Sequence, residues 1–71
     1  MSVCPKCLEL KDEYEFTVER NLELGNKHLA TGNWMLASRY YRSALTVLEF
    51  KGGCPSCTEF VRSTRDKFMG G

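Results

Sequence analysis

Residues 9–50 read ELKDEYEFTVERNLELGNKHLATGNWMLASRYYRSALTVLEF, a stretch without proline whose apolar positions recur at helical spacing. In the first half Tyr14, Val18, Leu22, Gly25 and Leu29 fall three or four residues apart, and in the second half Trp34, Ala37, Tyr41, Ala44 and Leu48 do the same. Each half therefore carries one apolar stripe. Thr31-Gly32-Asn33 separates them: Gly32 can end a helix in the left-handed conformation, and Asn33 can cap the next one with its side-chain oxygen. The pattern predicts an all-α fold built on a helical hairpin, with helices over 9–30 and 34–50. Leu36, Tyr40, Val47 and Phe50 add a second apolar face to the return helix, and a helix apolar over that much of its circumference is normally sandwiched. A third short helix over 58–69, with Phe60, Val61 and Phe68 inward and Arg62, Arg65, Asp66 and Lys67 outward, could cover that face. So could another protein or a second copy of the chain.

Outside the hairpin stand the four cysteines, as Cys4-Pro5-Lys6-Cys7 and Cys54-Pro55-Ser56-Cys57. Two intervening residues let both sulfurs of a pair point to one centre, the proline fixes the turn, and two such pairs supply the tetrahedral set of a structural zinc. Helix rise brings the pairs together. At ~1.5 Å per residue, a helix over 9–30 climbs about 30 Å, one over 34–50 returns about 24 Å, and the extended Lys51-Gly52-Gly53 makes up the rest. One metal ion could thus clamp the open end of the hairpin through Cys4, Cys7, Cys54 and Cys57. Each pair resembles the metal knuckles of zinc ribbons and rubredoxins, although Leu8 and Thr58 stand where those knuckles usually have glycine. That resemblance implies one zinc ion per chain, with iron fitting the same sulfurs. Two other readings compete. Disulfides would suit a secreted mini-protein. A redox pair at a helix start resembles glutaredoxins, but these need a βαβ framework and no strand pattern is present.

The hairpin itself resembles a tetratricopeptide repeat. Leu24-Gly25, His28, Gly32-Asn33, Ala37, Tyr41 and Ala44 occupy the packing positions of that repeat in order, over roughly Val18–Lys51. Asn21 stands where the family often has tryptophan, His28 where it often has tyrosine, and Glu49 where a proline commonly ends the unit. The resemblance implies close helix packing at Gly25, Ala37 and Ala44, an interface role for His28, and protein–protein interaction as the function. A single unit cannot bury its face alone, so the metal site and third helix would substitute for neighbouring repeats.

Size and charge narrow the remaining classes. A chain of 71 residues is one small domain, 1–71, and 42% apolar content is that of a globular rather than a disordered chain. At this length a core alone is marginal, which favours a staple. A net charge of +1 argues against general nucleic-acid binding, and four thiolates holding a divalent ion would take it to −1. Zinc-dependent nucleic-acid binding through Arg39, Arg42, Arg62 and Arg65 is the weakest of the alternatives. Charge is uneven: residues 1–24 carry a net −3 and residues 25–57 a net +3. On a helix over 9–30, Asp12, Glu15, Glu19 and Glu23 would share one face, a solvated surface or a docking strip for a basic partner. No run approaches the ~18 apolar residues of a membrane span, and the N-terminus lacks the apolar stretch of a signal peptide. With unpaired thiols, this predicts a cytoplasmic protein. No nucleophile–base arrangement or phosphate-binding glycine loop appears, and Gly52-Gly53 reads as a flexible approach to the second knuckle. The leading expectation is a non-enzymatic, metal-stabilised adaptor or complex subunit. The alternative is a redox or metal-handling protein that uses its Cys-Pro-x-Cys pairs.

Overall fold

The break expected at Thr31-Gly32-Asn33 is a full helix stop and restart. The computed structural model describes residues 3–69, with side chains described through residue 67. Among these it contains α1 (Pro5–Leu8), α2 (Val18–Ala30), α3 (Trp34–Phe50) and α4 (Pro55–Met69), with one isolated bridge between Lys11 and Thr17. The fold is all-α. At the end of α2, Gly32 takes φ +80°, and the Gly32 and Asn33 amides donate to the carbonyls of Leu29 (3.0 Å) and His28 (2.8 Å). These bonds satisfy carbonyls that the helix end would otherwise orphan. Asn33 then starts the next helix, its Oδ1 accepting from the Leu36 amide at 3.3 Å. The end of α3 repeats the device: Gly52 lies at φ +80° and the Gly53 amide donates to the Leu48 carbonyl at 2.7 Å. Gly52-Gly53 is therefore a built helix stop rather than a flexible approach.

The first helix is shorter than predicted. Residues 9–17 leave the helical path and α2 begins only at Val18, capped by Thr17, whose hydroxyl accepts from the Arg20 amide at 3.0 Å. The cause is Asp12. Its Oδ1 accepts from the amides of Tyr14 (2.8 Å) and Phe16 (3.0 Å), and its Oδ2 accepts from the Asn21 side chain at 3.2 Å. A short acidic side chain that bonds the backbone ahead of it offers that backbone an alternative to the helix. Backbone bonds from Asp12 to Phe16 and from Val18 to Leu10, both 2.8 Å, close the loop. Glu15 sits at φ +67°, a left-handed conformation unusual for a residue with a side chain. Asn21 is 1% exposed and also donates to the Thr17 carbonyl at 3.1 Å. Asn21 is thus the buried anchor of the loop.

Helix α3 is central, packing against α2 on one side and α4 on another. Of the two expected stripes, Val18, Gly25, Ala37, Tyr41, Ala44 and Leu48 are buried, while Leu22 and Leu29 are half-buried. The positions beyond the helix contacts fail: Tyr14 is 72% exposed on the loop and Trp34 65% exposed at the start of α3. Gly25 lies against the Tyr41 ring so closely that a Cβ there would stand 3.0 Å from it. The Tyr41 hydroxyl donates to Asn26 Oδ1, and burial raises its pKa.

The third helix starts three residues earlier than predicted, at Pro55, because proline suits the first helical position. Val61 is fully buried, Phe60 is 38% exposed, and Phe68 lies outside the described side chains. Helix α4 does not cover the second apolar face of α3. Arg62 reaches Glu49 at 3.0 Å, and at ~100° per residue Glu49 faces nearly opposite to Val47. Leu45, one turn before Glu49 on the α4 side, is buried.

Asp12 accepts two bonds from the 9–17 loop and one from Asn21 of α2, so Asp12→Ala is expected to lower the unfolding free energy by about 1–2 kcal/mol. Glu13→Ala, on an exposed neighbour, should stay within about 0.5 kcal/mol. Urea denaturation followed by circular dichroism measures both, and equal effects would remove Asp12 as the hub.

Candidate metal centre

The two knuckles open alike, each with a cysteine followed by a proline at the start of a helix. Cys4 precedes α1 in extended conformation (φ −66°, ψ 153°) with Pro5 as the first helical residue, and Cys54 stands in the same place before Pro55 of α4. The second cysteine of each pair then lies in the first helical turn. The Leu8 amide donates to the Cys4 carbonyl at 3.0 Å and the Thr58 amide to the Cys54 carbonyl at 2.9 Å. Two small sulfur-bearing turns therefore face each other.

They interlock through their backbones. The Cys4 amide donates to Cys57 Sγ and the Cys54 amide donates to Cys7 Sγ, both at 3.3 Å. The pairing is reciprocal, first cysteine of one knuckle to second cysteine of the other. All four sulfurs lie within 4.8 Å of one another, and Cys4 Sγ stands 3.6 Å from Cys54 Sγ. A tetrahedral ion with ~2.3 Å metal–sulfur arms separates its sulfurs by about 3.8 Å, so the cluster is the size of one Cys4 site. The cysteines are unbridged, and 3.6 Å is far beyond the ~2.05 Å of a disulfide. Thiolate donors suit zinc, ferrous iron and other thiophilic ions. Cys7 and Cys57 are buried in the apolar core with Val3, Val18, Leu48 and Val61, whereas Cys54 is exposed at the rim. Gly53 fixes the approach, since a Cβ there would lie 2.6 Å from a Leu48 methyl.

The thiols cannot all ionise alone. Cys4 is drawn down to about 7, chiefly by the Cys7 backbone N–H and then by the neighbouring sulfurs. Cys54 is pushed above its ordinary value of 9.0, first by its hydrogen bond with the Cys4 sulfur. The Cys54 N–H lowers Cys7 and the Cys4 N–H lowers Cys57, but burial and the adjoining sulfurs outweigh both and leave these thiols raised. One thiolate is thus available near neutrality, and the other three need a cation to offset their mutual repulsion.

The remaining expected site residues do not form the surfaces that the sequence suggested. The acidic strip breaks up. Asp12 is engaged within the loop, Glu15 sits on the same loop 3.8 Å from Lys11, and only Glu19 and Glu23 remain exposed together on α2. On the second apolar face, Val47 is buried where it lines a pocket with Tyr14 of the loop. Tyr40 is half-buried under His28, the rings stacked at 5.4 Å and 4°. The chain covers that face from within, leaving Leu36 half-buried and Phe50 83% exposed. Of the arginines, Arg62 is held by Glu49 and Glu59 (3.2 Å) and Arg65 pairs with Asp66 (3.2 Å), while Arg39 and Arg42 stay exposed on α3. Sequence reasoning missed the exposed Met35 beside Trp34, because periodicity marks where a stripe runs and not where the partner helix ends. No helix among the described residues is long and apolar enough to cross a membrane. No family model, curated protein or solved structure matches the chain.

Metal binding here exchanges protons for a cation, so affinity must fall as pH falls. With Cys7, Cys54 and Cys57 raised above 9.0 and Cys4 at about 7, three thiols still carry protons at neutral pH and Cys4 gains one below it. Zinc affinity measured by chelator competition is therefore expected to drop steadily from pH 8 to pH 6. A pH-independent affinity over that range would exclude thiolate ligation.

Proposed function

We propose that this chain is a non-catalytic helical interaction module held folded by one zinc ion on Cys4, Cys7, Cys54 and Cys57. The observation that carries this reading is the closed sulfur set, four sulfurs within 4.8 Å cross-tied by two backbone N–H groups. Four protein ligands complete a tetrahedron and leave no position for substrate, the pattern of structural rather than catalytic zinc. Backbone donors to the sulfurs act as the outer layer that orients the ligands. Zinc is preferred to iron because nothing else in the chain points to electron transfer. Two ligands belong to the hydrophobic core, so the ion would stabilise the packing itself.

The interaction half of the reading rests on what stays uncovered. Trp34, Met35, Tyr14 and Phe50 are 65–85% exposed, large apolar side chains that a partner surface would cover. Reduced thiols suit a cytoplasmic setting. One observation favours a second reading, metal handling: Cys54 is exposed, so an ion held there would be accessible to exchange.

Elemental analysis is expected to give one zinc per chain. Apparent zinc-binding free energies of ~10–16 kcal/mol exceed the few kcal/mol that a core of this size supplies. A strong chelator or Cys57→Ser should therefore abolish cooperative melting and most helical circular dichroism, with zinc restoring only the former. A chain that keeps its fold and melting point without metal would overturn the staple. A folded chain that yields its metal to a weak chelator within seconds would favour metal handling, and stoichiometric iron would favour electron transfer.

A further inference from the structure

The α3–α4 side of the molecule carries a cleft of about 910 Å³ in which cations outnumber the one acid: Arg39 and Arg42 from α3, Arg65 with Asp66 from α4, and Met35 and Leu36 at one end. We propose that this cleft binds an acidic peptide, its arginines taking the partner's carboxylates and Met35 and Leu36 taking an adjoining apolar side chain. The inference rests on the interaction-module reading and names the chemistry of the partner.

Three observations carry it. Arg39 and Arg42 lie three residues apart, on one side of α3, both are exposed, and neither belongs to an ion pair among the described residues. Arg65 lines the same cleft, one terminal nitrogen holding Asp66 at 3.2 Å. The planar guanidinium fork matches a carboxylate through two parallel bonds. Thirdly, Met35 is 85% exposed beside these cations, which calls for a ligand that is acidic and apolar at once.

The same features disfavour a nucleic acid. A phosphate backbone needs a continuous basic track, whereas Arg39 and Arg42 border a second pocket whose other wall carries Asp12 and Glu13. Arg62, which would extend the track along α4, is neutralised by Glu49 and Glu59. Few cations in a short cleft with an apolar end fit a peptide carrying two or three carboxylates.

The test is an array of random nine-residue peptides probed with the zinc-loaded full chain. The comparisons are Arg39→Gln/Arg42→Gln and Arg39→Glu/Arg42→Glu, each first shown by circular dichroism to keep the wild-type fold. The bound set is expected to be enriched in Asp and Glu next to Leu, Ile, Met or Phe. Its best member should bind the Gln variant about tenfold more weakly, two exposed charge pairs being lost, and the Glu variant should lose the acidic set entirely. Bound peptides without acidic enrichment, or binding indifferent to both variants, would overturn the cleft while leaving the interaction module standing. No bound peptide at all would overturn the two together. A single-stranded oligonucleotide that binds through Arg39 and Arg42 where acidic peptides do not would replace the peptide by a polyanion.

Discussion

The interlock between the two knuckles is the constraint on which the rest of this chain depends. Cys4 and Cys7 lie near one terminus and Cys54 and Cys57 near the other, yet their sulfurs meet within 4.8 Å and each knuckle donates a backbone amide to the other. Helix α1 is four residues long, far below the length at which a helix is stable alone. It exists because Pro5 pre-sets its first turn and because Cys7 is anchored in the core. The same junction sets where α4 begins, and hence how Val61 reaches the core beside Cys57 and Leu48. Closing a loop this long costs entropy that grows only slowly with length, so a cross-link at its two ends is an economical way to hold a small chain.

Within that frame, α3 organises the packing and the 9–17 loop adapts to it. Gly25 admits the Tyr41 ring, and Ala37 and Ala44 are fully buried, so α2 approaches α3 closely along one side. A helix apolar on more than one side needs cover on its remaining face as well. Here the chain supplies its own cover. The loop pinned by Asp12 and Asn21 folds beside Val47, and His28 stacks on Tyr40. A buried asparagine is costly unless its amide is satisfied, and Asn21 meets that condition by bonding Asp12 and Thr17.

What could be read in the sequence follows the range of the interactions involved. Gly32, Asn33 and the Cys-Pro-x-Cys pairs act within a few residues, and their roles as helix stop, cap and knuckle were legible in residue type and spacing. The α3 stripe of Ala37, Tyr41, Ala44 and Leu48 was legible for a similar reason, since burial on one face leaves a period. The 9–17 segment was not. Its Leu, Glu and Lys content favours helix, and Tyr14 happens to fall on the extrapolated stripe. What decides the matter is the Asp12 carboxylate, which competes for three donors, one of them nine residues away on Asn21. The acidic strip failed with the helix that would have displayed it. The side of α3 that α4 chooses was equally hidden, because the Arg62–Glu49 pair and the burial of Leu45 express a docking angle set by the knuckle.

That docking angle ties the proposed cleft to the proposed metal. Arg39 and Arg42 belong to α3 whatever the rest of the chain does, but Arg65 faces them because α4 leaves the second knuckle and packs along α3. A little over two turns of helix separate Cys57 from Arg65, about 12 Å at ~1.5 Å per residue, short enough for a rigid helix to transmit the geometry of its first turn. Any ligand that needs all three guanidinium groups therefore binds the metal-closed chain better than the open one. Linkage makes the relation reciprocal: such a ligand raises the apparent affinity for metal by the same factor by which metal raises the affinity for the ligand. On this reading the ion does more than stabilise a small core, because it fixes the relative placement of charges on two helices that the sequence separates by some twenty-five residues.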